Sequence, residues 1–349
     1  MASIQVSGLG WKLPSGVELF RDVSFGVGGG ERVALVGANG VGKTSLLRIL
    51  TGEQAASAGS ISVEGRVGVM RQLVGMGGDG GTSTVRDLLV SLSPDRIVDA
   101  ARRIDAATPQ AEADPMRYAN ALGNWADVGG YDVEIRWDEA CGRALGSDLA
   151  DVADRPLGTL SGGEQKRLAL EFLLRGEDDI LVLDEPDNVL DVPAKRWLEG
   201  ELNTTMKTVV FVSHDRELLA ACATKIVTIE ASGAWTHGGG FATYAEAKQA
   251  HADKRAHDAA LFDNERQRLE DHVALMRQRA RISDTFAPKL KAAESKLRQF
   301  LAKNERPPEL RDQQIDVQLR GARTGKRAVI TERLEIAGLT DPFDLELWY

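Results

Sequence analysis

Three kinds of hydrophobic spacing divide this chain. Residues 3–30 alternate apolar and polar positions, as in IQVSGL (Ile4–Leu9), and end at the triplet Gly28–Gly30. That period of two predicts antiparallel strands with one buried face. Next come unbroken apolar runs at Val33–Val36, Ile180–Leu183 and TVVFV (Thr208–Val212), with a shorter strand-like VGVM before Gln72. Runs without alternation predict strands buried on both faces, as in a parallel sheet covered by helices. Between them a glycine-rich break, GMGGDGG, opens a mostly helical insertion that closes at Pro156, and TIEASGAWTHGGGF reads as a hairpin ending near residue 241.

After that hairpin the period changes to seven. Phe262, Leu269 and Met276 recur with Val273 and Ala280 interleaved, the seam of a coiled-coil arm. A turn signal at Ser283–Pro288 precedes a second helical pattern carried by Leu290, Leu297 and the pair Phe300/Leu301, which Pro307 and Pro308 stop. At 1.5 Å per residue, a first helix of about 40 residues projects roughly 60 Å.

The chemistry sits at the ends of the apolar runs. GANGVGKT (Gly37–Thr44) fits G-x-x-x-x-G-K-[ST] and lies between an apolar strand and the helical run SLLRIL, the setting that motif requires. Its glycines let backbone N–H groups curl round a phosphate, with Gly37, Asn39, Gly40, Gly42, Lys43, Thr44 and Ser45 as nucleotide contacts. Lys43 is placed for the β/γ-phosphates and the Thr44 hydroxyl for Mg²⁺. ILVLDEP delivers Asp184 as a metal ligand and Glu185 as the group that orients or deprotonates water. His214 ends the next apolar run, and Gln72 is a candidate for both metal and water. Finally LSGGEQ (Leu160–Gln165) opens a helix with N–H groups and a positive end, so Ser161, Gly162, Gly163 and Gln165 are candidate nucleotide contacts.

Taken in order, these motifs resemble those of the ATP-binding-cassette ATPases. DEPDNVLD and VSHDRELL, followed by a helical linker, resemble the ABC-F subfamily in particular. The resemblance spans residues 1 to about 340. It implies an α/β fold: an ABC-type nucleotide-binding domain with a P-loop core sheet, an antiparallel β subdomain and a helical subdomain, followed by a helical hairpin linker. The implied organisation is an ATPase domain at 1–241 (helical subdomain about 75–160), a hairpin at 242–327 and the start of a second domain at 328–349. It also implies ATP and Mg²⁺ as ligands, hydrolysis shared with a second cassette, and a cytoplasmic protein acting on the ribosome in translation or antibiotic resistance. In such proteins the signature motif closes over the nucleotide of the other cassette. Asp187 and Val189 stand where the family usually has Thr and His, which bears on hydrolysis more than on binding. Trp11, or alternatively Phe20, is the candidate to stack on adenine. The ATP motifs alone would equally suit the energy subunit of a transporter.

Charge adds one more feature. The chain carries a net charge of −9, yet His272–Arg327 holds 14 Lys and Arg against 6 Asp and Glu. A basic segment on an acidic body suits a local polyanion, and Arg277, Arg279, Arg281, Lys289 and Lys291 near the bend suit an A-form RNA backbone, which the resemblance to ABC-F linkers implies is that of ribosomal RNA or tRNA. LEIAGL (Leu334–Leu339) repeats the pattern of IQVSGL, so a second cassette is expected to begin there and to come from a separate half or a second copy. No run of 18 apolar residues occurs, so no transmembrane segment is expected. The two cysteines, Cys141 and Cys222, lack metal-type spacing and read as inert thiols.

Overall fold

The computed structural model describes residues 2–71 and 83–307, together with the backbone of two later strands, Arg327–Leu334 and Phe343–Trp348. GMGGDGG, Pro308 and most of the LEIAGL repeat lie outside the described residues. The chain forms two units, residues 1–308 and 309–349.

The first unit opens with β1 (Ser3–Lys12), β2 (Glu18–Val27), β3 (Arg32–Gly37), α1 (Lys43–Leu50), β4 (Ala58–Glu64) and β5 (Val67–Met70). Five helices follow: α2 (Val85–Ser91), α3 (Asp95–Ala107), α4 (Pro115–Asp127), α5 (Gly130–Leu145) and α6 (Leu149–Val152). Then come α7 (Gly162–Arg175), β6 (Ile180–Asp184), α8 (Val192–Thr204), β7 (Thr208–Val212), α9 (Arg216–Cys222), β8 (Lys225–Glu230) and β9 (Gly233–His237). The alternating N-terminal segment becomes an antiparallel sheet of order β2-β1-β4, with Ile4 and Val6 inward and Gln5 and Ser7 outward. The unbroken apolar runs become a second sheet of order β5-β6-β7-β3-β8-β9, parallel except for its edge strand β9. Every residue of β6 and β7 is buried, as a two-sided strand requires.

Hydrophobic packing joins these parts at α7. Between the two sheets, Phe20, Val33, Leu46 and Val182 share one core. On the other face of the parallel sheet, Leu170 and Leu173 of α7 pack with Leu198 and Phe211. The same helix sends Leu168 and Phe172 into the helical core around Trp125 and Trp137. Its C-terminal end is held by Lys207, whose ammonium donates to the carbonyls of Leu173, Gly176 and Asp178 at 3.2, 2.7 and 2.7 Å. A cation on the last carbonyls offsets the negative end of the helix dipole.

Beyond β9 runs α10 (Tyr244–Ala280), 37 residues long, which turns back as α11 (Ala287–Lys303). That length corresponds to about 55 Å. Its first turns are anchored to the sheet: the Trp235 ring lies against Tyr244 at 5.7 Å and against His251 at 4.7 Å. The hairpin seam follows the seven-residue period, with Leu269, Val273 and Met276 buried and Phe262 stacked on Phe300 at 5.1 Å. Two details differ from the sequence expectation. Pro288 lies inside the first turn of α11, where its missing N–H leaves no hydrogen bond unmade. The helix stops at Lys303, ahead of the prolines, where the Asn304 amide donates to the Phe300 carbonyl at 2.9 Å.

In the second unit, β10 (Arg327–Leu334) and β11 (Phe343–Trp348) pair antiparallel, with Val329 opposite Leu347 and Thr331 opposite Leu345.

Candidate nucleotide-binding site

The loop between β3 and α1 is a backbone cradle. Gly40 and Gly42 have φ of 79° and 100°, left-handed values that a Cβ disfavours. A Cβ on Gly42 would lie 2.9 Å from Cδ1 of Phe20. Phe20 is fully buried beneath the loop and belongs to the core, which removes it as an adenine platform. Trp11, paired with Phe20 across β1 and β2, is half-buried, and its Nε1 has no hydrogen-bond partner among the described residues.

Lys43 opens α1 and is 8% exposed, its Nζ donating to the carbonyls of Gly37 and Ala38 at 3.0 and 3.2 Å. Burial pulls its pKa below the usual lysine value, against the opposing charges of Glu185 and Asp184. The next residue, Thr44, faces the same pocket as Asp184 at the end of β6, and its hydroxyl acts to lower that carboxyl's pKa. Burial, with the charge of Glu185, raises the Asp184 pKa against that effect. Asn39 is exposed and Ser45 half-buried in the same loop and first turn. Gln72 lies outside the described residues.

Strand register brings the next two residues together. In the parallel ladder Asp184 pairs with Val212, so chains leaving β6 and β7 emerge side by side. Glu185 follows at φ 50°, its N–H donating to the Val212 carbonyl at 2.9 Å. His214 Nε2 lies 3.7 Å from Glu185 Oε1, and Asn188 Nδ2 donates to Glu185 Oε2 at 3.3 Å. Asp187, the departure from the family pattern, is buried, and its Oδ1 has no hydrogen-bond partner among the described residues. The fields of Lys166 and Lys195 reach it, so its negative charge is not isolated.

LSGGEQ forms a capping box: Ser161 Oγ accepts from the Glu164 N–H at 3.2 Å, and Glu164 Oε2 accepts from the Ser161 N–H at 2.7 Å. The Ser161 hydroxyl and the Ser161 N–H, acting on the carboxylate, hold Glu164 below its usual range. Gln165 turns inward, donating to the carbonyls of Leu157 and Leu160 at 2.9 and 3.2 Å, so it braces the preceding turn. Ser161, Gly162 and Gly163 open onto a cavity of about 390 Å³ that no P-loop residue lines. Val189, at φ 63°, packs over it: its Cγ2 lies 3.4 Å from where a Cβ on Gly162 would stand. Its carbonyl lies 3.2 Å from the corresponding point on Gly163. The structure thus brings Lys43, Thr44, Asp184, Glu185 and His214 into one region and sets the signature residues in another.

Sequence reasoning missed Lys166, which is 4% exposed and donates to the Glu185 carbonyl. A lysine in KRLALEF carries the pattern of a solvated helix face, and no sequence signal marks it as buried. At the hairpin bend, Arg277 pairs with Glu294 at 2.8 Å, while Arg279 and Lys289 both lie over the Phe286 ring, at 5.9 and 5.3 Å. Among the described residues, Arg281 and Lys291 have no ion-pair partner. Both cysteines are buried, and burial pushes each thiol up to about 11, in keeping with inert thiols.

A glycine cradle, a buried lysine and a carboxylate at a strand end define a P-loop nucleotide-binding domain, and known proteins place it further. The family described as ABC transporter matches residues 20–188. The chain is 48% identical, over its whole length and 64% of the relative, to an "Antibiotic resistance protein" of Mycobacteroides abscessus. It is 36% identical to the "Tylosin resistance ATP-binding protein TlrC" of Streptomyces fradiae, over 73% of this chain and 48% of that one. With the "Energy-dependent translational throttle protein EttA" of Mycobacterium tuberculosis, identity is 29% over 91% of this chain and 55% of that one. The chain therefore carries an ATP-binding-cassette domain and belongs with the ABC-F-type proteins. It spans about half to two thirds of the length of these relatives. Among the described residues no helix is long and apolar enough to cross a membrane.

Proposed function

We propose that the chain hydrolyses Mg·ATP together with a second cassette, and that its hairpin carries this cycle to the ribosome in the cytoplasm. The observation that carries the first part is the convergence of Glu185 and His214 beside the Thr44–Asp184 pair, at the ends of three adjacent parallel strands. The cradle, the buried Lys43 ammonium and the Thr44 hydroxyl facing the same pocket as the Asp184 carboxylate fit a triphosphate with a divalent cation. Thr44, Asp184 and Gln72 would hold Mg²⁺, which when bound supplies charge neutralisation at the β- and γ-oxygens. Lys43 and the loop N–H groups bind the phosphates, Trp11 stacks on the adenine, Glu185 takes the proton of the attacking water, and His214 contacts the γ-phosphate. Ser161, Gly162 and Gly163 receive the nucleotide of the second cassette, from a separate half or a second copy. The separate signature cavity supports that assignment.

The relatives support the ribosomal part, since EttA is named as a translational throttle and two others for resistance. On this reading residues 1–241 form the ATPase domain, 242–327 the linker and 328–349 the start of a second cassette. The hairpin presents Arg281 and Lys291, with Arg277, Arg279 and Lys289 behind them, to rRNA or tRNA. Glu185→Gln is expected to lower turnover about 100-fold or more while ATP binding persists. Unchanged turnover would remove Glu185 from its role. Co-sedimentation with ribosomes under non-hydrolysable ATP, weakened by Arg281→Glu with Lys291→Glu, tests the partner. Binding indifferent to both nucleotide and these charges would reject it.

A further inference from the structure

We infer that Lys166 is a positioning residue for Glu185: it ties the helix that begins at the signature motif to the peptide that aims this chain's own water-activating carboxylate. The inference rests on the role proposed above for Glu185.

Glu185 stands in a backbone conformation, φ 50°, that a residue with a side chain adopts only under constraint. Three hydrogen bonds supply the constraint: one from the turn that follows, the Asn188 N–H donating to the Glu185 carbonyl at 3.3 Å, and two that tie the residue to other elements. Its N–H donates to the Val212 carbonyl at 2.9 Å, which fixes it to the end of β7. Its C=O accepts from Lys166 Nζ, which fixes it to α7 one turn beyond Ser161. With both ends of the residue held, the side chain is directed to Asn188 at 3.3 Å and towards His214 at 3.7 Å.

Burying an ammonium at 4% exposure is costly unless charge and hydrogen bonds compensate it. Burial does pull the Lys166 pKa down, and the fields of Asp187, Glu185 and Asp184 oppose it. Asp187 thereby gains an explanation: where the family usually has Thr, this chain places a buried carboxylate within the field of a buried lysine. An apolar side chain would avoid the cost and lose the tether. The consequence is a link inside one chain between two half-sites. Ser161–Gly163 serve the nucleotide of the second cassette, Glu185 serves this chain's own, and α7 with Lys166 joins them.

The test compares Lys166→Met and Lys166→Arg in the full chain, each with and without Glu185→Gln. Lys166→Met is expected to lower kcat roughly 10- to 100-fold and move the KM for ATP less than about threefold. Lys166→Arg, which keeps a buried donor, restores most of the loss. In the Glu185→Gln background, Lys166→Met is expected to cost nothing more, because it acts through that carboxylate. An equal loss in both backgrounds overturns the inference. Wild-type turnover in Glu185→Gln alone would instead overturn the role of Glu185. Amide hydrogen exchange gives a readout independent of turnover. Residues 185–190 are expected to exchange about tenfold faster in Lys166→Met, with β6 unchanged, as local opening becomes easier. Unaltered exchange there overturns the tether whatever the turnover shows.

Discussion

His214 Nε2 lies 3.7 Å from Glu185 Oε1, although 29 positions separate them in sequence. The pairing of Asp184 with Val212 in adjacent parallel strands produces this approach. His214 is more than half exposed, so replacing it should leave the fold intact. His214→Ala is expected to lower kcat roughly 10- to 100-fold with the ATP dissociation constant nearly unchanged. Steady-state turnover and equilibrium titration with a fluorescent ATP analogue check the two halves of that statement.

Gly42 has a more severe constraint than Gly40, whose Cβ position meets nothing within 4 Å. Its φ of 100° is left-handed, and an added Cβ would meet the buried Phe20 ring at 2.9 Å. Gly42→Ala is expected to destabilise the domain by about 1–3 kcal/mol and to abolish ATP binding. Gly52 has a similar φ of 76° but no atom within 4 Å of its Cβ position. Gly52→Ala should cost about 1 kcal/mol and leave binding intact. Urea denaturation of both variants separates backbone strain from collision.

Val189 is β-branched, 61% exposed and held at φ 63°. An L residue in that region carries a penalty that asparagine bears more easily, so Val189→Asn should raise stability by about 1 kcal/mol. The measurement is the urea midpoint at constant m-value. A lower midpoint would mean that the contact over Gly162 outweighs the strain.

Glu177 gathers three arginines from three parts of the fold: Arg136 from α5, Arg66 at 2.9 Å from the β4–β5 turn, and Arg96 at 3.4 Å from α3. The hydrogen bond from Arg136, with the charges of Arg136, Arg66 and Arg96, holds its pKa below the usual 4.5. A depressed folded-state pKa contributes stability above the unfolded value, and that stability is lost as pH falls through the folded one. Wild type should therefore lose stability below about pH 4.5. Glu177→Gln should be less stable at pH 7 and flatter across that acid range, with salt narrowing the difference. Denaturation midpoints between pH 3 and 7 check the slope.

Much of the fold is legible in residue spacing. Alternation at Ile4–Leu9 marks a one-sided strand, the unbroken run at Ile180–Asp184 marks a two-sided one, and both occur where expected. The glycine cradle is equally legible, because a backbone that must approach an anion excludes side chains locally. The seven-residue period correctly places Leu269, Val273 and Met276 in the seam. It could not separate roles among the basic residues at the bend. Arg279 and Lys289 are drawn onto Phe286, and Arg277 onto Glu294, by partners that only the turn brings near.

Sequence by itself determined which segments become strands and helices and which loop can cradle phosphate, because those depend on period and local backbone freedom. Tertiary structure alone decided that Phe20 lies under the loop, that Gln165 turns inward, and that Lys166 is buried against Glu185. Each of those outcomes depends on register between strands and on how α7 is seated between two cores. Polarity and spacing cannot report it, since the same lysine on a solvated face would have the same sequence.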